Sequence, residues 1–170
     1  VGMISFAHGH AHSYLHALLS LPQVEVVGIA DEGKSRVEKV IEKNGLAYYE
    51  DYRDLLARPD VDAVVICSEN AFHAQHTIDS AKAKKHVICE KPLGISVAEM
   101  ERMIAVCEEN GVQLFTAFPC RYLAAVVSAK AAVDRGDIGD ILAIKGTNRG
   151  TMPGNWFVEP ELSGGGALLD

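Results

Sequence analysis

The stretch DAVVICSENAFHAQHTIDSAKAKKHVICEKP, running from Asp62 to Pro92, decides the fold class. It opens on a short apolar, β-branched run, Asp62-Ala63-Val64-Val65-Ile66-Cys67. A helical stretch follows from Ala71 to Lys84. A second apolar run, His86-Val87-Ile88-Cys89, then leads into Glu90-Lys91-Pro92. Strand, helix and strand at this spacing make one βαβ unit, and such units build a parallel sheet with helices on both faces.

The same alternation continues outward in both directions. Towards the N-terminus, Val1 to Phe6 and Val24 to Ala30 read as strands, with a helix between them from Ala11 to Leu21. Leu15, Leu18 and Leu19 share one side of that helix. Ser35 to Asn44 reads as a helix with Gly45 as its C-terminal stop. A short strand, Leu46 to Tyr49, and a small helix, Tyr52 to Ala57, complete this half. Beyond Pro92, Ser96 with Glu99 three residues on is a capping-box start, and the helix it opens ends at Asn110-Gly111. Val112 to Phe118 is the sixth strand. Six strands with mostly helical crossovers predict a doubly wound parallel α/β sheet of the Rossmann type. After Phe118 the texture changes to a long amphipathic helix (Arg121 to Arg135), a turn (Gly136 to Gly139), a new strand (Ile141 to Thr147) and a Gly- and Pro-containing loop. Residues 1–118 are therefore expected to form a dinucleotide-binding domain. Residues 119–170 are expected to be the start of a second domain that is cut off.

Composition narrows the classes. In 170 residues, a formal net charge of −7 argues against a nucleic-acid surface, which needs clustered Lys and Arg. The one basic cluster, Lys82, Lys84 and Lys85, reads as a solvated helix end. No apolar run reaches the ~18 residues of a membrane span. No leader pattern is seen, and Val1 already reads as strand, so a trimmed start is expected. Cys67, Cys89, Cys107 and Cys120 form no CxxC pair, which predicts free thiols and a cytoplasmic protein.

A dinucleotide site needs small residues between the first strand and the first helix, where the backbone approaches a pyrophosphate. The usual spacing is G-x-G-x-x-G. Here the loop reads Ser5-Phe6-Ala7-His8-Gly9-His10: Ser5, Ala7 and His10 replace the three glycines, and Gly9 is out of register. His12 and His16 are one helical turn apart, but no acidic partner is adjacent and no HExxH pattern exists. No metal is therefore expected, and the imidazoles are expected to face phosphates or solvent. Asp31, about twenty residues on, either accepts hydrogen bonds from the adenosine ribose, which favours NAD, or simply caps a helix. Lys34 and Arg36 leave NADP possible.

Glu90 and Lys91 end the fifth strand, and ligands of open α/β sheets lie beyond the carboxyl ends of strands. Pro92 biases Lys91 towards an extended backbone. A Lys beside a Glu in a partly dry cleft can donate a proton or orient a hydroxyl. At this point the chain resembles the Gfo/Idh/MocA oxidoreductases, which include glucose-fructose oxidoreductase and inositol dehydrogenase. The resemblance spans essentially the whole chain. It rests on Glu90-Lys91-Pro92-Leu93, on Ser68-Glu69-Asn70-Ala71-Phe72-His73 after strand four, on Arg121-Tyr122, and on Gly164-Gly165-Gly166-Ala167-Leu168-Leu169-Asp170.

The resemblance implies hydride transfer between NAD(P) and a sugar, cyclitol or related polyol. Lys91 would contact the substrate hydroxyl and the nicotinamide, and Glu90 would lie near the nicotinamide ribose. Ser68, Asn70, His73 and Arg121 would line the cofactor cleft. Asp170 would belong to the catalytic set, with a histidine four residues further on as its partner base. The resemblance also implies that residues 119–170 are the incomplete beginning of an α+β domain for substrate and oligomerisation, and that the full-length protein is a homo-oligomer. Three departures mark a divergent branch: the altered loop, Ser68-Glu69 in place of Thr-Pro, and Pro119 where an Asn is usual. A non-catalytic cofactor-bound sensor and an NAD-assisted glycoside hydrolase stay open as alternatives. Asn148, Arg149 and Trp156 either line the substrate pocket or serve loop packing. The exposed edge and apolar surface of 119–170 predict poor behaviour of that segment in isolation.

Overall fold

The computed structural model describes residues 1–147, 150–151, 153–166 and 169. The chain divides into two compact units, Val1–Ala117 with Asn155–Asp170, and Phe118–Gly154.

The first unit is the six-stranded sheet. Its strands are β1 (Gly2–Ile4), β2 (Gly28–Ala30), β3 (Ala47–Tyr49), β4 (Ala63–Ile66), β5 (His86–Glu90) and β6 (Leu114–Ala117). All pairings are parallel, in the order β3-β2-β1-β4-β5-β6. The order reverses between β1 and β4, which opens a crevice at the carboxyl ends of those two strands. The linking helices are α1 (His10–Ser20), α2 (Lys34–Asn44), α3 (Tyr52–Leu56), α4 (His73–Lys82) and α5 (Val97–Asn110).

The strands are apolar on both sides because both faces are covered, and the two-residue period sorts them into two cores. Ile4, Ala30, Val64, Ile66, Val87 and Cys89 pack with Leu55, Ile78 and Met103 on one face. Met3, Ile29, Val65 and Cys67 pack with Ala11, Leu15 and Val37 on the other. On β5 and β6 the second face is open: the register partners Ile88 and Phe115 are 37% and 56% exposed. Helix ends follow the sequence signals. Gly45 and Gly111 close α2 and α5 with φ of 64° and 68°, a left-handed conformation that costs glycine little. Ser96 Oγ accepts the Glu99 N–H, and Glu99 Oε2 accepts the Ile95 N–H.

The second unit holds a 3₁₀ turn (Pro119–Tyr122) and α6 (Ala124–Asp134). The long helix expected from Arg121 thus begins three residues later, after that turn. The strand expected at 141–147 does not form. A strand persists only when its N–H and C=O groups meet a partner, and among the described residues none pairs with this segment. Leu142 and Ile144 are accordingly 94% and 85% exposed. Among the described residues, no helix is long and apolar enough to cross a membrane.

Candidate functional site

Two groups of residues meet at the carboxyl ends of the strands. The first surrounds Asp31, which is 3% exposed at the end of β2. Its Oδ2 accepts the Phe6 N–H at 2.7 Å, and its Oδ1 accepts the Gly33 N–H at 2.8 Å. Arg36 Nη1 stands 3.4 Å from Oδ2. The N-cap of α2 is Gly33, so Asp31 does not cap that helix but ties the first loop to the start of α2. Ser5 lines the same crevice. Its φ of 65° is the left-handed conformation that glycine would supply, and its Oγ accepts the Ala7 N–H at 3.1 Å. The loop is pinned again where the His8 N–H meets the Cys67 carbonyl at 2.9 Å.

Beside Asp31 lies a cavity of about 640 Å³, whose lining includes Ser5, Asp31, Glu32, Tyr52, Glu69, Phe72 and His76. Burial, with a lesser contribution from His73, pushes the His76 imidazole down to about 4. Its Nδ1 lies 3.0 Å from Ser68 Oγ. Burial first, and then the hydrogen bond to Asp79, pushes the Tyr52 phenol up. Burial likewise raises the Glu69 carboxyl.

The second group surrounds Glu90, which is fully buried at the end of β5. A carboxylate withdrawn from water must find donors. Glu90 Oε1 meets His10 Nδ1 and accepts the Tyr14 hydroxyl at 3.1 Å. Its Oε2 accepts the Lys91 N–H at 2.6 Å. His8 Nδ1 is 3.8 Å from Oε1 and accepts the His10 N–H at 3.1 Å. The Trp156 indole N–H donates to the Ala7 carbonyl at 3.2 Å, and its ring stacks on Phe157 at 3.8 Å. Trp156 is thereby loop packing against the first loop. The Lys91–Pro92 peptide bond is cis.

His8, His10 and Glu90 offer one ligand atom each within 4.8 Å of one another, the donor set of a small metal site. The sequence argument against a metal relied on the absence of an adjacent acid. The fold brings one from eighty residues away. All three side chains already take part in the hydrogen bonds just described. Cys67 and Cys89 lie nearby, and burial first, with the Glu90 charge adding, pushes both thiols up, so neither is a ready nucleophile.

The fold brings Ser5, Ala7, Gly9, His10, Asp31, Glu90 and Lys91 to the strand ends. Gly9 is the N-cap of α1, exposed, with φ −59°. Ser68, Asn70 and His73 do not line the cavity; their side chains turn into the protein. His73 reaches the Pro92 and Ser68 carbonyls at 2.7 and 3.1 Å, and Asn70 Nδ2 donates to the Ser163 carbonyl at 2.9 Å. Arg121 lies in the second unit, 5.3 Å from the Phe118 ring centroid. Asp170, Asn148 and Arg149 lie outside the described residues. Sequence reasoning did not single out Tyr14, and it saw Glu69 only as a departure. The spacing His8-x-His10-x-x-x-Tyr14, which brings three polar rings to the start of one helix, was the available signal.

Comparison with known proteins agrees with this fold. The model of the oxidoreductase family with an NAD-binding Rossmann fold, GFO_IDH_MocA, matches residues 1–118, and a GFO/IDH/MocA C-terminal domain model matches 126–170. The myo-inositol 2-dehydrogenase of Thermotoga maritima is 39% identical over 126 residues, which are 74% of this chain and 38% of that protein. A crystal structure of a mutant of KijD10, a 3-ketoreductase from Actinomadura kijaniata, in complex with TDP-benzene and NADP is 32% identical. It superimposes with a TM-score of 0.84 over 99% of this chain and 52% of its own. The WlbA dehydrogenase of Bordetella pertussis, in complex with NADH and UDP-GlcNAcA, is 26% identical over 81% of this chain and 42% of its own, with a TM-score of 0.76. The chain thus spans about half or less of each of these relatives. Its six-stranded fold, its Glu90-Lys91-Pro92 strand end and the match over residues 1–118 make it a member of the Gfo/Idh/MocA oxidoreductase family.

Proposed function

We propose that the whole protein is an NAD(P)-dependent dehydrogenase acting on a secondary alcohol of a sugar, cyclitol or related polyol, and that this chain supplies the cofactor half of the site. The observation that carries the reading is the crevice itself. At the switch point of the sheet, buried Asp31 borders a cavity at one end and Glu90-Lys91 stand at the neighbouring strand ends. The residues fit a dinucleotide. Ser5 keeps the glycine-like course of the loop, Ala7 is small, and the first turn of α1 carries no acidic residue of its own. The His10 and Ala11 amides are held by His8, so what the start of α1 offers a pyrophosphate is the positive end of its dipole.

Bound, the dinucleotide supplies the hydride acceptor or donor. Asp31 Oδ1 accepts from the ribose hydroxyls and, with Glu32, disfavours a 2′-phosphate, so NAD is preferred. Lys34 and Arg36 leave NADP possible. Glu90 holds His10 and the Lys91 backbone in place. Lys91 orients the substrate hydroxyl and handles its proton, and Asp170, with a histidine four residues beyond it, completes the catalytic set. Arg121 and the division of the protein at residue 118 into cofactor and substrate domains belong to the same reading. So do a homo-oligomeric whole protein and a reducing, cytoplasmic setting for the four free thiols.

The test is made on full-length protein with NADH, NADPH and a panel of cyclitols and aldoses. NADH binding together with turnover that falls at least about 100-fold in Lys91→Ala supports the reading. Tight NADH binding with no turnover on any polyol points to the sensor. Release of sugar without net NADH points to the hydrolase.

A further inference from the structure

Glu69 stands in the Ser68-Glu69-Asn70 segment just after β4. Its neighbours spend their side chains on the protein, Ser68 on His76 and Asn70 on Ser163. Glu69 instead lines the cavity while only 8% of its surface stays exposed. Its carboxyl is held by its own backbone N–H, and its electrostatic neighbours are Arg36, Glu32 and Asp31. A carboxylate has lone pairs for several donors, so one backbone donor leaves acceptor capacity on the cavity wall. A ligand donor placed there meets an acceptor largely withdrawn from competing water.

The other walls of the cavity say which donor. Tyr52 and Phe72 both pack against His76, with ring centroids 4.5 and 6.1 Å from it, giving the cavity an aromatic side suited to a flat heterocycle. Ribose hydroxyls already have an acceptor in Asp31, which lines the same cavity. The remaining donor of an adenosine is the exocyclic amine of its base. We propose that Glu69 accepts a hydrogen bond from the 6-amino group of adenine, so that this site reads the base of the dinucleotide and not only its sugar and phosphates. The inference rests on the reading that the cavity takes the adenosine half of the cofactor.

Hypoxanthine carries a carbonyl oxygen where adenine carries the amine, so NADH and its hypoxanthine analogue, deamino-NADH, separate the possibilities. Both are titrated by nicotinamide fluorescence into full-length wild type, Glu69→Gln and Glu69→Leu. Wild type is expected to prefer NADH by about tenfold, the effect of one hydrogen bond to a charged group. Glu69→Leu is expected to bring the two affinities within about twofold, and Glu69→Gln, which keeps an acceptor, to fall between. The ratio is internal to each variant, so a general loss of affinity or of folded protein does not imitate it. A wild-type ratio near one, or an undiminished ratio in Glu69→Leu, overturns the assignment. If Glu69→Leu weakens both dinucleotides equally, Glu69 serves the ribose or the loop instead, and the assignment is again wrong. Failure of wild type to bind either dinucleotide overturns the cofactor reading, and the assignment falls with it.

Discussion

Asp31→Ala is expected to damage the fold before it damages binding. Asp31 is 3% exposed, and its two oxygens hold the Phe6 and Gly33 amides at 2.7 and 2.8 Å. A hydrogen bond to a charged acceptor contributes about 1.5–3 kcal/mol, and an amide left buried without a partner costs a similar amount. The two amides together set the loss at about 3–5 kcal/mol, and the half-exposed Arg36 pair adds less than about 1 kcal/mol. Against a total stability of about 5–15 kcal/mol this is a large share. In a chain of this size it lowers Tm by about 10 °C. Asp31→Asn keeps one acceptor but turns an NH₂ towards one of the amides, so about half the loss is expected. Urea unfolding followed by far-UV circular dichroism measures the loss. Parallel titrations with NADH and NADPH then separate scaffold from ligand. If Asp31 also faces the ribose, the NADH/NADPH affinity ratio falls in the variant as well as the stability. A stability change below about 1 kcal/mol in Asp31→Ala would refute the structural argument. A lost stability with an unchanged ratio would refute the ribose contact alone.

Glu90→Leu leaves His10, the Tyr14 hydroxyl and the Lys91 N–H without their buried acceptor, and should cost about 3 kcal/mol in urea unfolding; a cost under about 0.5 kcal/mol would mean the network contributes nothing. His76 is held neutral down to about pH 4 in the fold but takes a proton near 6.5 when unfolded, so the unfolded state binds more protons between those values. Stability is therefore full above about pH 6.5, falls by on the order of 2–3 kcal/mol as pH drops to about 4, and is flat below for this group. His76→Gln should remove that part of the slope, and equal slopes in variant and wild type would sink the idea. Gly111→Ala, at φ 68°, should cost about 1 kcal/mol. Gly9→Ala, at φ −59° with nothing within 4 Å of an added Cβ, should leave stability within about 0.5 kcal/mol.

The fold was legible because its signals are local. Alternating apolar runs, a Ser96–Glu99 cap and glycines at 45 and 111 each act within a few residues. The strand at 141–147 was not, because a strand's existence depends on a partner that no local pattern supplies. The site was legible in part for the same reason. Strand ends could be read, so Asp31, Glu90 and Lys91 were placed beside the crevice. What surrounds them could not, since His10 and Tyr14 reach Glu90 across 80 and 76 residues of sequence. Asp31 shows the limit most clearly. Sequence offered a ribose contact or a helix cap, and the fold gives it a third task, anchoring the first loop through the Phe6 amide.

That third task explains how the first loop dispenses with its glycines. A glycine-rich loop relies on conformational freedom at the first glycine, small size at the second and close approach of helix to strand at the third. Here Ser5 accepts the left-handed conformation, which costs a non-glycine residue about 1–2 kcal/mol. Three hydrogen bonds offset that cost: Ser5 Oγ to the Ala7 amide, Asp31 to the Phe6 amide, and the His8 amide to the Cys67 carbonyl. At the third position His10 directs its ring to Glu90, so the imidazole that displaces glycine becomes the contact that joins α1 to the end of β5. The loop is thus held by two side-chain acceptors and one carbonyl where a glycine-rich loop relies on conformational freedom. A count of glycines misjudges the course of such a loop, because hydrogen bonds at Phe6, Ala7 and His8 hold a left-handed Ser5 in a conformation that glycine would adopt without help.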